Sequence, residues 1–79
     1  MERLEIIEKV SDVLAAEFEV EKSVMTPDAN IKQALKLDSL SLVDLVALMD
    51  DTFGVKITAM DLTNIKTFND LFDYLENKL

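Results

Sequence analysis

Between Glu2 and about Phe18, apolar residues recur at Leu4, Ile7, Val10, Leu14 and Phe18, in steps of three or four, with Glu5, Glu8, Lys9, Asp12 and Glu17 between them. That period predicts an amphipathic first helix with those apolar positions turned inward. It disappears over residues 19–37. There Thr26-Pro27-Asp28 followed by Asn30 is turn chemistry, and Ile31-Lys32-Gln33-Ala34-Leu35 has room for one or two helical turns. A connection of this length is uncommon in a small domain unless it spans distant helix ends or forms part of a binding surface.

The second periodic stretch opens at Asp38-Ser39-Leu40. Asp38 is suited to accept hydrogen bonds from the first free backbone N–H groups, and Phe53-Gly54 closes the stretch with the only Gly in the chain. A second helix is therefore expected from about Ser39 to Phe53. Thr58-Ala59-Met60-Asp61 and Thr67-Phe68-Asn69-Asp70 each place a hydroxyl three residues before a carboxylate, a variant of the capping box. They predict a very short third helix over 61–65 and a fourth from Phe68 to about Asn77, with Phe68, Leu71, Phe72 and Leu75 inward. The expectation is all-α: three principal helices, one short one, and a long loop after the first. No repeat, low-complexity tract or linker divides residues 1–79, which read as a single domain.

The second helix has more apolar surface than one core face needs. At about 100° per residue, Leu42, Leu45, Val46, Met49 and Phe53 form a buried stripe. Leu40, Val43 and Ala47 then fall mostly on the other side, beside Asp44 and Asp51, with Asp50 at the edge. Single exposed apolar residues are ordinary. Three in register among three acids also fit a transient docking surface, on which apolar contact gives affinity and charge speeds encounter. The pattern alone leaves both readings open.

Composition narrows the chemistry. With 79 residues, about half of them apolar, there is material for one modest core and little for a roomy catalytic cleft. There is no Cys and no His, so disulfides, thiolate nucleophiles and the commonest general base and transition-metal ligand are excluded. Sixteen acidic against eight basic residues give a net charge of −8, which repels nucleic-acid phosphates and anionic lipid and attracts proteins with Lys/Arg patches. The N-terminal residues lack the pattern of a secretory signal and no apolar run is long enough to insert in a membrane, so the cytoplasm is the expected location.

Ser39 stands at the predicted start of the second helix, where free N–H groups and the helix dipole favour an anion such as a phosphate ester. Read by itself, Asp38-Ser39 is an ordinary helix start, and spacing alone does not promote this serine to a modification site. Leu37-Asp38-Ser39-Leu40 followed by Val43, Leu45 and Val46, then Phe53-Gly54-Val55-Lys56-Ile57, resembles the acyl carrier protein signature, and the resemblance runs through essentially the whole chain. Lys36 stands where relatives commonly have Gly. Ser41 and Leu42 replace a frequent acid and small polar residue, and Thr58 replaces a frequent Pro.

The resemblance implies a discrete, monomeric acyl-carrier-type bundle with no catalytic residues and no metal. A phosphopantetheinyl transferase would join 4′-phosphopantetheine from coenzyme A to Ser39, flanked by Asp38 and Leu40. Acyl groups would ride as thioesters, and the cofactor would supply the thiol this sequence lacks. Synthase, transferase and reductase enzymes with basic patches would dock on Leu40, Val43, Asp44, Ala47, Asp50 and Asp51. Because an exposed alkyl chain costs about 0.8 kcal/mol per CH₂ relative to burial, the cargo is expected to enter the bundle. Inward positions near Ser39 or on the third helix supply its expected lining: Leu42, Val46, Met49, Ile57, Leu62, Ile65 and Leu71. Fatty acid or related acyl-chain synthesis is one implied role, and a dedicated polyketide, acyl or aryl carrier is another. From a different class, an unmodified acidic adaptor that binds a basic partner through the second helix shares the same surface. An enzyme in its own right lacks a base beside the serine, and Asp50-Asp51 lacks the further ligands of a calcium loop.

Overall fold

A computed structural model describes residues 2–38 and 41–79. Along them run α1 (Arg3–Phe18), a single 3₁₀ turn (Lys22–Val24), α2 (Ile31–Leu35), α3 (Ser41–Phe53), α4 (Ala59–Asn64) and α5 (Phe68–Lys78). The fold is all-α, as the periodicity predicts; the connection after α1 contains α2 where one or two helical turns are expected, and also a 3₁₀ turn that the pattern does not predict.

The first helix buries Ile6, Val10 and Leu14, spaced four apart, with Ile7, Ala15 and Phe18 partly buried beside them. Leu4, expected inward, is 74% exposed. The two neighbouring isoleucines allow two stripes, and packing against α5 selects the one through Ile6. Leu4 lies two residues, or about 200°, from Ile6 and so faces away. Arg3 ties α1 to α5: its guanidinium pairs with Asp73 and Glu76, donates to Asn69, and lies 5.8 Å from the centre of the Phe72 ring.

The chain leaves α1 through Glu19, whose φ of 54° is left-handed, and the 3₁₀ turn is tied back by a Lys22–Asp12 ion pair. It then crosses to the start of α5. The Ile31 N–H donates to the Lys66 carbonyl at 2.9 Å, the Phe68 N–H to Ala29 at 3.2 Å, and the Asn69 N–H to Pro27 at 3.0 Å. These bonds surround an isolated antiparallel bridge between Asn30 and Thr67. Asn30 also caps α2 by accepting from the Gln33 N–H at 3.1 Å, and α2 buries Ile31 and Leu35. The long connection is thus a crossover held by backbone hydrogen bonds to another helix end.

Capping explains the later boundaries. Thr58 accepts from the Asp61 N–H at 3.1 Å, so α4 starts at Ala59, two residues earlier than expected. At α5 the box is reciprocal: Thr67 Oγ1 accepts from the Asp70 N–H, and Asp70 Oδ2 accepts from the Thr67 N–H, both at 3.2 Å. A second bond to Asp70 comes from the Lys66 N–H at 3.2 Å. Those two backbone donors hold the Asp70 carboxyl below the usual aspartate range. Gly54, with φ of 70°, ends α3 and donates to the Asp50 carbonyl at 2.7 Å. Phe68, Leu71, Phe72 and Leu75 of α5 join Leu45 and Met49 of α3 in the core.

Candidate functional site

The start of α3 is organised by Asp38. Its Oδ1 accepts from the Ser41 N–H at 2.8 Å and its carbonyl from the Leu42 N–H at 3.3 Å. Asp38 itself is exposed, and Ser41 and Leu42 are half-buried. Ser39 and Leu40, between the two anchored positions, lie outside the described residues. The approach to this point is strained at one position: Lys36 has φ of 55° and ψ of 44°, with its N–H donating to the Lys32 carbonyl. The motif comparison with Gly at this position thus corresponds to a left-handed residue, which a lysine adopts at a cost.

Beyond the helix start, α3 divides as its pattern predicts. Leu45 and Met49 are buried, while Leu42, Val46 and Phe53 are half-buried. Val43, Asp44, Ala47 and Asp51 are exposed, Val43 by 65%, and Asp50 is half-buried. Asp44, Ala47, Leu48 and Asp51 line one side of an open groove of about 430 Å³, and Glu17 from the end of α1 lines the other. The part Glu17 plays in this groove has no sequence signal, because nothing local reveals that α1 ends beside α3. Among the described residues, no three carboxylates converge in a way that could hold a metal ion.

A second concavity, of about 350 Å³, opens among α2, α3, α4 and the segment leading to α5. Its most deeply buried lining residues are Ile31 and Leu45; Leu42, Leu62 and Ile65 are half-buried. Ala59 and the polar residues Asn30, Lys32, Thr63 and Lys66 complete it. Of the expected cargo lining, the structure brings together Leu42, Leu62 and Ile65. It places Met49, Ile57 and Leu71 in the packed core and leaves Val46 half-buried against that core. The residues of α2 and Lys66 reach this cavity through the crossover at Asn30 and Thr67, a long-range pairing with no local sequence signal.

The described residues form a helical bundle with a helix start capped by Asp38, an acidic groove and a cavity whose buried lining is aliphatic, an arrangement suited to holding and presenting a group. Residues 8–75 match the family of phosphopantetheine attachment sites. The chain is 40% identical over 77 residues to the acyl carrier protein of Thermotoga maritima, covering 98% of this chain and 95% of that one. It is also 40% identical over 67 residues to that of Syntrophobacter fumaroxidans, covering 85% and 83% respectively. The solved structure of the acyl carrier protein from Enterococcus faecalis superposes with a TM-score of 0.76 at 33% identity, over 95% of each chain. The chain belongs to the acyl carrier protein family: it is a carrier and not an enzyme, and its prosthetic group is 4′-phosphopantetheine.

Proposed function

We propose that Ser39 is the attachment point of the 4′-phosphopantetheine arm and that residues 1–79 act as one monomeric carrier domain for acyl intermediates held as thioesters. The observation that carries this reading is the family match across residues 8–75, within which Asp38-Ser39-Leu40 directly precedes the sequence of α3. Asp38, exposed and occupied in capping the Ser41 N–H, supports a fixed helix start for a transferase to recognise. The residues present fit the group. The Leu42-lined apolar cavity begins three residues after Ser39, and the chain itself has no thiol, which the bound group supplies.

The cargo proposed is an alkyl chain of fatty acid or related acyl-chain synthesis, because the buried lining of the cavity is aliphatic. Ile31 and Leu45 at its deepest points, with Leu42, Leu62 and Ile65 around them, remove methylenes from water without needing polar partners. The docking face proposed is Leu40, Val43, Asp44, Ala47, Asp50 and Asp51. Its partners are a phosphopantetheinyl transferase and acyl-chain synthases, transferases and reductases with basic patches, in the cytoplasm. No helix among the described residues is long and apolar enough to cross a membrane.

Intact mass after incubation with a phosphopantetheinyl transferase and coenzyme A tests the attachment. Wild type is expected to gain one phosphopantetheinyl adduct, Ser41→Ala to gain it as well, and Ser39→Ala to gain none. An adduct on Ser39→Ala would move the attachment point to another residue, and none on a folded wild type would return the chain to the unmodified adaptor reading.

A further inference from the structure

The wall of the cavity formed by α4 is held to the rest of the molecule by few interactions. None of its residues, Ala59–Asn64, is fully buried, and Met60 is 79% exposed. Ala59, Leu62 and Thr63 line the cavity from this helix, and of these only Leu62 is half-buried. One side-chain bond crosses from α5: the Tyr74 hydroxyl donates to Asp61 Oδ2 at 2.9 Å, with the Lys56 carbonyl a weaker acceptor at 3.3 Å. A hydroxyl bonded to a carboxylate is among the stronger neutral-to-charged contacts. Burial, and then the neighbouring Asp61 carboxylate, push the phenol above its ordinary value, so the hydroxyl keeps its proton throughout the neutral range.

We propose that Tyr74 is a positioning residue for the cargo cavity: acting through Asp61, it holds α4 as the outer wall and so sets the longest acyl chain the cavity buries. The inference rests on the reading above that the cavity takes the cargo. Its physical basis is that the floor and the wall differ in rigidity. Ile31 and Leu45 belong to the close-packed core, which resists expansion. Space for further methylenes must therefore come from outward displacement of α4, an element with little burial to hold it. Leu62 and the Thr58 cap move with α4, whereas Tyr74 stays with α5, whose Leu71, Phe72 and Leu75 are buried. The Tyr74–Asp61 bond is thus the tie that must stretch or break as the wall moves.

The test uses wild type, Tyr74→Phe and Asp61→Asn, each loaded with arms bearing straight saturated chains from butyryl to myristoyl. The readouts are the melting temperature of each loaded form and amide hydrogen exchange in α4 of the unloaded forms. For wild type, stabilisation is expected to grow with chain length and then level off. In Tyr74→Phe, which loses only the hydroxyl, it should level off at a longer chain, and α4 amides should exchange about tenfold faster, the loss expected for one hydrogen bond to a charged acceptor. Asp61→Asn should shift the limit in the same direction. Leu75→Val, a core change on α5 outside the cavity lining, should lower every melting temperature and leave the limit where it is. If Tyr74→Phe lowers all loaded forms equally with an unchanged limit, Tyr74 is structural only and the inference fails. If a wild type bearing the arm gains no stability from any chain, the cavity does not take the cargo, and the earlier reading fails together with this one.

Discussion

At the scale of single residues, two non-glycine positions among the described residues are left-handed, Glu19 and Lys36, and the second precedes the proposed attachment motif. An L-residue in that region costs about 1–2 kcal/mol, partly offset against Gly by the greater entropy glycine loses on folding. Lys36→Gly is therefore expected to stabilise the protein by about 1 kcal/mol, a rise of several degrees in Tm. Lys36→Ala removes the same charge but keeps the Cβ, and thermal unfolding should show no such rise. Asp70 gives a pH-dependent counterpart. Its folded-state pKa is lowered by the Thr67 and Lys66 N–H bonds, so the unfolded chain binds its proton more readily. The stability this supplies is fully present above the ordinary aspartate range and lost as pH falls through the lower folded-state value. Urea unfolding should find Asp70→Asn less stable than wild type at pH 7 by about 0.3–1 kcal/mol, the part due to charge at a helix N-terminus, with the gap closing as pH drops below about 4.

At the scale of elements, α3 turns one face to the core and an acidic face to the surface, and the acidic face shares a groove with the end of α1. Since Glu17 lines the same groove as Asp44 and Asp51, Glu17→Lys should impair partner association along with Asp44→Lys and Asp51→Lys. Each reversal is expected to slow association with a phosphopantetheinyl transferase roughly three- to tenfold at low salt, and added salt should narrow the difference. Glu5→Lys is the appropriate control, being exposed on α1. Glu76 would be a poor one, because it pairs with Arg3 across the α1–α5 contact. Stopped-flow association rates separate the cases: equal loss at Glu5 and Asp44 would mean that bulk charge governs encounter and the groove does not.

At the scale of the whole molecule, a core of modest size adjoins the cavity proposed to take the cargo. Each methylene moved from water into that cavity contributes up to about 0.8 kcal/mol. Loading an octanoyl chain on the arm is expected to raise Tm by several degrees over the unloaded form. Ala59→Trp, which fills the cavity from an exposed wall position, should abolish the gain while the unloaded variant still folds. Differential scanning calorimetry of the four species checks it, and an undiminished gain in Ala59→Trp would place the chain elsewhere.

Periodicity and capping chemistry by themselves determined the all-α class, the two faces of α3, the inward face of α5 and the Thr67–Asp70 box. Each rests on residues within two turns of one another, where 3.6-residue geometry and short side chains act without the rest of the fold. The Asp-Ser-Leu motif and the acidic strip were legible for the same reason. Tertiary structure alone decided which isoleucine of α1 faces inward, since residues 6 and 7 satisfy the helical period about equally and only packing against α5 distinguishes them. It likewise decided that Ile31, Lys32 and Lys66 share a cavity with Leu42 and that Glu17 shares a groove with Asp44. Those neighbours are joined by the backbone pairing of residues 29–31 with 66–68 and by helix packing. Such long-range contacts depend on how the whole chain closes on its core, and no local pattern encodes them.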